Sequence, residues 1–205
     1  QRAMEELEGI VYDMIDERRG QEDAHEDLLS MLLLAEDEET GEQMSDRQVR
    51  DELMTFMIAG YETTSNALTW TLYLLSLQPT VRRSLEEDVD GTLGGEDPTM
   101  QSVGELDFVD PVLDEAMRLF PPAWTIEREP KKADEIGGYE IPEGSIVVVA
   151  PYFVHHNPAI WPNPEGFDPS RFEEENPAER HRYAHFPFGG GPRKCVGADF
   201  AIHEA

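Results

Sequence analysis

The stretch from Ser45 to Leu77 limits the possible folds more than any other. Ser45 and Gln48 have the spacing of a capping box. After them Val49, Leu53, Met57, Gly60, Thr64, Leu68, Leu72 and Leu75 recur every three or four residues. That period predicts one helix over 46–77. Between Leu53 and Leu77 only Glu62 is charged, and the run is long enough to cross a bilayer. Its centre, Glu62, Thr63, Thr64, Ser65 and Asn66, is polar. One acidic residue at mid-membrane alone costs about 2.5–3.5 kcal/mol on insertion scales. The sequence therefore reads as a buried helix of a soluble protein with no membrane span, in which Glu62 needs a partner, bound water or a function.

The flanking segments organise around this helix. Ala3–Arg18 and His25–Ala35 carry helical periodicity with many charges. Pro79 suits the first turn of a helix over Thr80–Asp90, with a loop from Gly91 to Pro98. Pro111 opens a helix over 111–120 that Pro121 and Pro122 end. The character then changes. Gly137-Gly138 and Glu143-Gly144 bracket Tyr139–Pro142 and lead into the β-branched run Ser145–Ala150, which predicts a strand of a small hairpin sheet. From Asn157 to Pro187 prolines recur and helical periodicity stops, giving an ordered but irregular meander. Glu36–Glu39 and Glu173–Glu175 read as solvated turns. The expected fold class is mainly α with a small β-sheet region.

Charge excludes some partners. Acidic residues number 44 against 16 basic ones, a formal charge of -28, which disfavours nucleic acid and anionic membrane surfaces. In molar salt the screening length is about 3 Å, so self-repulsion of this size is tolerated and a halophilic source with a salt-rich cytosol is one expectation, an acidic protein of an ordinary cytosol the other. Gln1–Gly20 is charged throughout and lacks the apolar run of a secretory signal, so a cytoplasmic location is expected.

Cys195 is the only cysteine, in Phe188-Gly-Gly-Gly-Pro-Arg-Lys-Cys-Val-Gly197. A lone cysteine makes no intramolecular disulfide. Arg193, Lys194 and a helix expected over 198–205 would lower its thiol pKa and prepare the sulfur to bind metal. The glycines let the backbone approach something flat and large. Zinc held by Cys195 with His181 and His185, or with His155 and His156, is an alternative, but histidines spaced so loosely are weak evidence for it.

Phe188, Gly191, Arg193, Cys195 and Gly197 fill all five fixed positions of Phe-x-x-Gly-x-Arg-x-Cys-x-Gly, and the loop resembles the haem-ligand loop of the cytochrome P450 family. Three further motifs follow that family in order. Ala59-Gly60-Tyr61-Glu62-Thr63-Thr64 resembles its oxygen-activating helix. Glu115-x-x-Arg118 with trailing prolines resembles its Glu-x-x-Arg helix, and Arg171 in Phe167-Asp-Pro-Ser-Arg-Phe172 takes the place of a third network member.

The resemblance implies a cytochrome P450-like fold, present in part, with 1–205 as the C-terminal portion of a single domain. Its divisions are a helical part over 1–122, a small β region over 123–172, a meander over 173–187, and the cysteine loop with the start of a helix over 188–205. It implies haem b with Cys195 as the metal ligand, approached by Phe188, Gly191, Arg193, Gly197, Arg128, Ala59 and Gly60. Glu62 and Thr63 would deliver protons to bound oxygen, and Glu115, Arg118 and Arg171 would form a structural network. Trp124 would shape the substrate pocket or sit in the core. The implied activity is monooxygenation of an apolar small molecule, with electrons from NAD(P)H through a ferredoxin or flavoprotein donor. Rival readings are a non-catalytic haem sensor or electron carrier, a peroxide-driven hydroxylase and an oxygen-free isomerase.

Overall fold

Three helices each turn an apolar stripe inward to build the first core. They are α1 (Arg2–Arg19), α2 (Leu28–Leu34) and α3 (Asp46–Leu77). The computed structural model describes residues 2–19, 27–173 and 180–205, so His25 and Glu26 of the expected second helix and Glu174 and Glu175 of the second acidic turn lie outside the described residues. Val11 and Ile15 of α1, Leu29 and Leu33 of α2, and Val49, Leu53 and Met54 of α3 are buried together. Arg18 fastens α1 to α2, donating to both Asp27 carboxylate oxygens at 2.6 and 2.7 Å. Asp27 caps α2 through the Ser30 amide, and with Arg18 beside it the carboxyl is held well below the usual carboxylate range.

The capping box at the start of α3 forms. Ser45 N–H donates to Gln48 Oε1 at 3.0 Å and Gln48 N–H to Ser45 Oγ at 3.4 Å. The turn before it is exposed, and Asp37 holds it by accepting from the Thr40 amide at 2.8 Å. The chain divides into two units, one ending at Glu62 and the other beginning at Thr63, with the boundary inside α3. This helix is buried at its ends and not in its middle. Val49, Leu53 and Met54 are covered near one end and Thr71, Leu74 and Leu75 near the other, whereas Met57 through Thr63 are all exposed. The expectation of a helix buried throughout is corrected: its middle, Met57 through Thr63, stands in solvent while only its two ends are packed into cores. Among the described residues no helix is long and apolar enough to cross a membrane.

In the second unit α4 spans Pro79–Leu93. It runs through Gly91, where a loop was expected. One helical glycine costs only about 1 kcal/mol, and the left-handed Gly94 (φ +58°) supplies the stop, its N–H bonding Asp90 O at 3.0 Å. The short helix α5 (Met100–Val103) has a Thr99–Ser102 capping box that the sequence reading missed. Then α6 covers Val109–Leu119. It starts two residues ahead of Pro111, whose missing N–H falls in the first turn, where no helical partner exists.

The β region is two antiparallel pairs. Strand β1 (Ile126–Arg128) pairs with β4 (Val147–Val149), and β2 (Asp134–Ile136) pairs with β3 (Tyr139–Ile141). The tight hairpin is β2–β3, turned by Gly137 (φ +60°) and Gly138 (φ +84°). The run 145–150 thus contributes a shorter strand than expected and finds its partner before the hairpin rather than in it. The reason is Pro142 and Gly144 (φ +75°), which redirect the chain after β3. Helices α7 (Pro151–His155), α8 (Ser170–Glu173) and α9 (Ala198–Glu204) complete the unit. Leu74, Ala116 and Leu119 pack with Phe120 and Phe167, and Trp70 stacks on Phe120 at 4.2 Å between centroids.

Candidate active site

The cysteine loop is shaped by its own backbone. Gly191–Arg193 forms one 3-10 turn, and beyond it Cys195 N–H donates to Phe188 O at 2.9 Å, closing the loop on itself. Gly191 sits at φ +70°, a conformation that costs any residue with a Cβ about 1–2 kcal/mol. At Gly190 the constraint is contact, since a Cβ there would lie 2.6 Å from Tyr183 Cε1. A Cβ on Gly189 would meet Ile126 Cδ1 at 3.3 Å, so β1 packs against the start of the loop. Arg128, on the same strand, is exposed, and its guanidinium donates to Glu127 O at 2.7 Å rather than forming a salt bridge with Glu127 or Glu129.

The thiol of Cys195 is exposed and in no disulfide. Arg193 and Lys194 are exposed beside it, Val196 is 86 % exposed, and nothing lies within 4 Å of where a Cβ on Gly191 or Gly197 would be. Among the described residues no three of His, Cys, Asp and Glu converge to hold a metal ion. One sulfur on open, partly apolar surface is a donor set for a metal that brings its other ligands with it, as iron in a porphyrin does. It does not suit bare zinc, which takes four ligands, three of them from protein even in catalytic sites. The residues present fit haem.

A buried polar cluster is centred on α6. Glu115 and Arg118 on α6 are both fully buried. Arg118 Nε and Nη2 grip the two Glu115 oxygens at 2.6 and 2.8 Å in a bidentate pair. Its remaining hydrogens go to three carbonyls, those of His155 (2.8 Å), Pro164 (2.7 Å) and Gly166 (3.0 Å). The guanidinium also lies 5.3 Å from the centroid of the buried Trp161 ring. Arg171 Nε, ion-paired to Glu115 Oε1 at 3.3 Å, and the Asp168 amide at 2.9 Å complete the carboxylate's surroundings. The structure thus brings Glu115, Arg118 and Arg171 together and fixes α6 to the segment 155–168.

The other sequence-derived positions are local to α3. Ala59, Gly60, Glu62 and Thr63 are exposed, and the helix is unbroken at Gly60. Glu62 is not the buried acid expected from the apolar run around it. Trp124 is 60 % exposed, which removes the core reading. It lines a cleft of about 470 Å³ with Asn66, Trp70, Phe120, Tyr152 and Phe153. Sequence reasoning weighed His155 and His185 only as zinc ligands. The structure buries His155 fully and leaves the His185 side chain 18 % exposed, with the two rings 5.1 Å apart between centroids, and uses His155 Nε2 to accept the Phe186 N–H at 3.0 Å.

Comparison with known proteins decides the family, because the cytochrome P450 model matches residues 1–205. The chain belongs to the cytochrome P450 family. It is 42 % identical over 204 residues to cyclooctatin synthase of Streptomyces melanosporofaciens, covering 99 % of this chain and 44 % of that protein. It is 39 % identical over 203 residues to cyclooctat-9-en-7-ol 5-monooxygenase of the same organism, covering 99 % and 44 %. Against the crystal structure of the cytochrome P450DA heme domain the TM-score is 0.91 at 41 % identity, covering 97 % of this chain and 45 % of that one. This P450 chain therefore spans less than half the length of these relatives.

Proposed function

We propose that the protein to which this chain belongs is a haem-thiolate monooxygenase acting on an apolar organic substrate in the cytoplasm. The observation that carries the reading is the exposed Cys195 thiol on a closed glycine loop with no other metal-binding cluster among the described residues. A thiolate-ligated haem supplies electron density that favours O–O cleavage and the insertion of one oxygen atom into a C–H bond. The protein's part is to hold and to protonate. Cys195 would ligate the iron, with Phe188 O holding its amide, and Phe188, Gly191 and Gly197 would lie against the porphyrin. Arg193 and Arg128 have guanidinium groups suited to the propionates.

Glu62 is in contact with solvent, so it can take protons from water and pass them to the neighbouring Thr63 hydroxyl. Ala59 and Gly60 leave that part of the helix without bulk. Trp124 and the cleft it lines offer aromatic surface to an apolar substrate. The monooxygenase named among the relatives supports this substrate class. Electrons would come from NAD(P)H through a ferredoxin or flavoprotein partner.

The test is the reduced, carbon monoxide-bound spectrum of the complete protein. Wild type should show the red-shifted thiolate band and Cys195→Ser should lose it; an unchanged band in the variant rejects Cys195 as ligand. Thr63→Ala should keep that band and consume NAD(P)H without matching product. Product per NAD(P)H at the wild-type level would remove Thr63 from the relay.

A further inference from the structure

We propose that His155 is a positioning residue for the thiolate loop: its neutral ring, with the proton on Nδ1, ties the segment leading to Cys195 to the buried Glu115–Arg118 pair. The proposal rests on the reading of Cys195 as the iron ligand. The geometry is a continuous chain of contacts. Arg118 Nη1 donates to the His155 carbonyl at 2.8 Å, and the His155 Nε2 lone pair accepts the Phe186 N–H at 3.0 Å. Two residues on, Phe188 O accepts the Cys195 N–H at 2.9 Å. One residue thus spends its main chain on the ion pair and its side chain on the loop.

The tautomer follows from the donor. An N–H points at Nε2, so Nε2 carries the lone pair and the ring hydrogen sits on Nδ1, a buried atom with no hydrogen-bond partner among the described residues. The ring is fully buried, and Phe186 packs edge-on against it at 5.3 Å between centroids, so no water competes for the bond. Burial, helped by the charge of Arg118, lowers the His155 pKa to about 4, which keeps Nε2 an acceptor at neutral pH.

The experiment compares His155→Phe, which keeps a ring and removes the acceptor, with His155→Gln, which restores a carbonyl near the Nε2 position, both in the complete haem-loaded protein. Loss of one buried hydrogen bond is worth about a tenfold change in local opening. His155→Phe should therefore convert under mild heating from the red-shifted to the blue-shifted carbon monoxide band about tenfold faster than wild type, with faster hydrogen exchange at the Phe186 amide. His155→Gln should recover most of both. Wild-type rates in a folded His155→Phe protein would overturn the proposal. If that variant does not fold, nitrogen NMR of histidine-labelled wild type decides: an Nδ1–H tautomer at neutral pH supports the assignment, and an Nε2–H or doubly protonated ring refutes it. Failure of the underlying reading would look different, as absence of the thiolate band in wild type, and would leave the amide-exchange and tautomer results unaffected.

Discussion

At the scale of single residues, Glu115 and Arg118 show how much one buried pair can organise. A buried carboxylate is tolerable only when its charge and lone pairs are met, and Glu115 meets Arg118 twice, Arg171 once and the Asp168 amide. Removing it strands a guanidinium that is itself fully buried. Glu115→Ala should cost about 3–5 kcal/mol, read as a lower urea midpoint and a poor yield of haem-loaded protein. Arg171→Ala should cost markedly less, because Arg171 is 12 % exposed and its Nε is ion-paired without hydrogen-bond alignment. Equal losses in the two variants would contradict this ranking. The Glu115–Arg118 pairing could be read from its i, i+3 spacing, and Arg171 from the family pattern. The carbonyls of His155, Pro164 and Gly166 could not, since any residue type supplies a carbonyl.

At the scale of elements, the boundaries that local chemistry sets were readable, and those set by competition were not. Ser45 and Gln48 fix the start of α3 because both halves of the capping box lie within four residues. The end of α4 offered three glycines, Gly91, Gly94 and Gly95, and the sequence reading ended the helix at the first. Gly91 is helical with open space around it, whereas Gly94 is left-handed. The two sites therefore predict opposite signs. Gly91→Ala should stabilise by about 0.5–1 kcal/mol by restoring helix propensity, and Gly94→Ala should destabilise by about 1–2 kcal/mol through left-handed strain. Denaturant midpoints of the two variants in the complete protein check this, and a shared sign would place the helix end elsewhere. The same limit applies to Val147–Val149. Its β-branched run announces a strand, but its partner Ile126–Arg128 lies beyond an intervening hairpin, and no local signal chooses between them.

At the scale of the whole molecule, the fully buried His155 and the largely covered His185 couple folding to pH. Burial lowers His155 to about 4 and His185 to about 3, against about 6.5 in an unfolded chain. Between pH 6.5 and 4 the unfolded state therefore binds protons that the native state refuses, and this contribution to stability falls as pH falls. Arg118, Arg180 and His156 oppose protonation of the pair by like charge. Asp114 acts the other way: burial and Asp110 raise it to about 6, so the native state takes up its proton first on acidification. With 38 % of the Asp114 side chain exposed, water screens much of that effect, and the histidines dominate. The 44 acidic residues give a large background, so the measurement is a difference. His185→Gln should lose stability less steeply than wild type from pH 6.5 to 4, by up to about 1.4 kcal/mol per pH unit, and parallel curves would exclude His185 as a source of the slope.

By itself the sequence determined the helical periods, the cap before α3, the lone cysteine in its glycine loop and the order of motifs that marks the family, because each depends on residues close together in the chain. Only the tertiary structure decided which polar groups are buried. It left Glu62 in solvent despite the apolar run around it, buried His155 at the end of the short helix α7, and joined that histidine to the amide of Phe186. Burial depends on what distant segments cover, and a hydrogen bond between residues 155 and 186 depends on where two turns of backbone meet. Neither quantity is encoded in any local spacing.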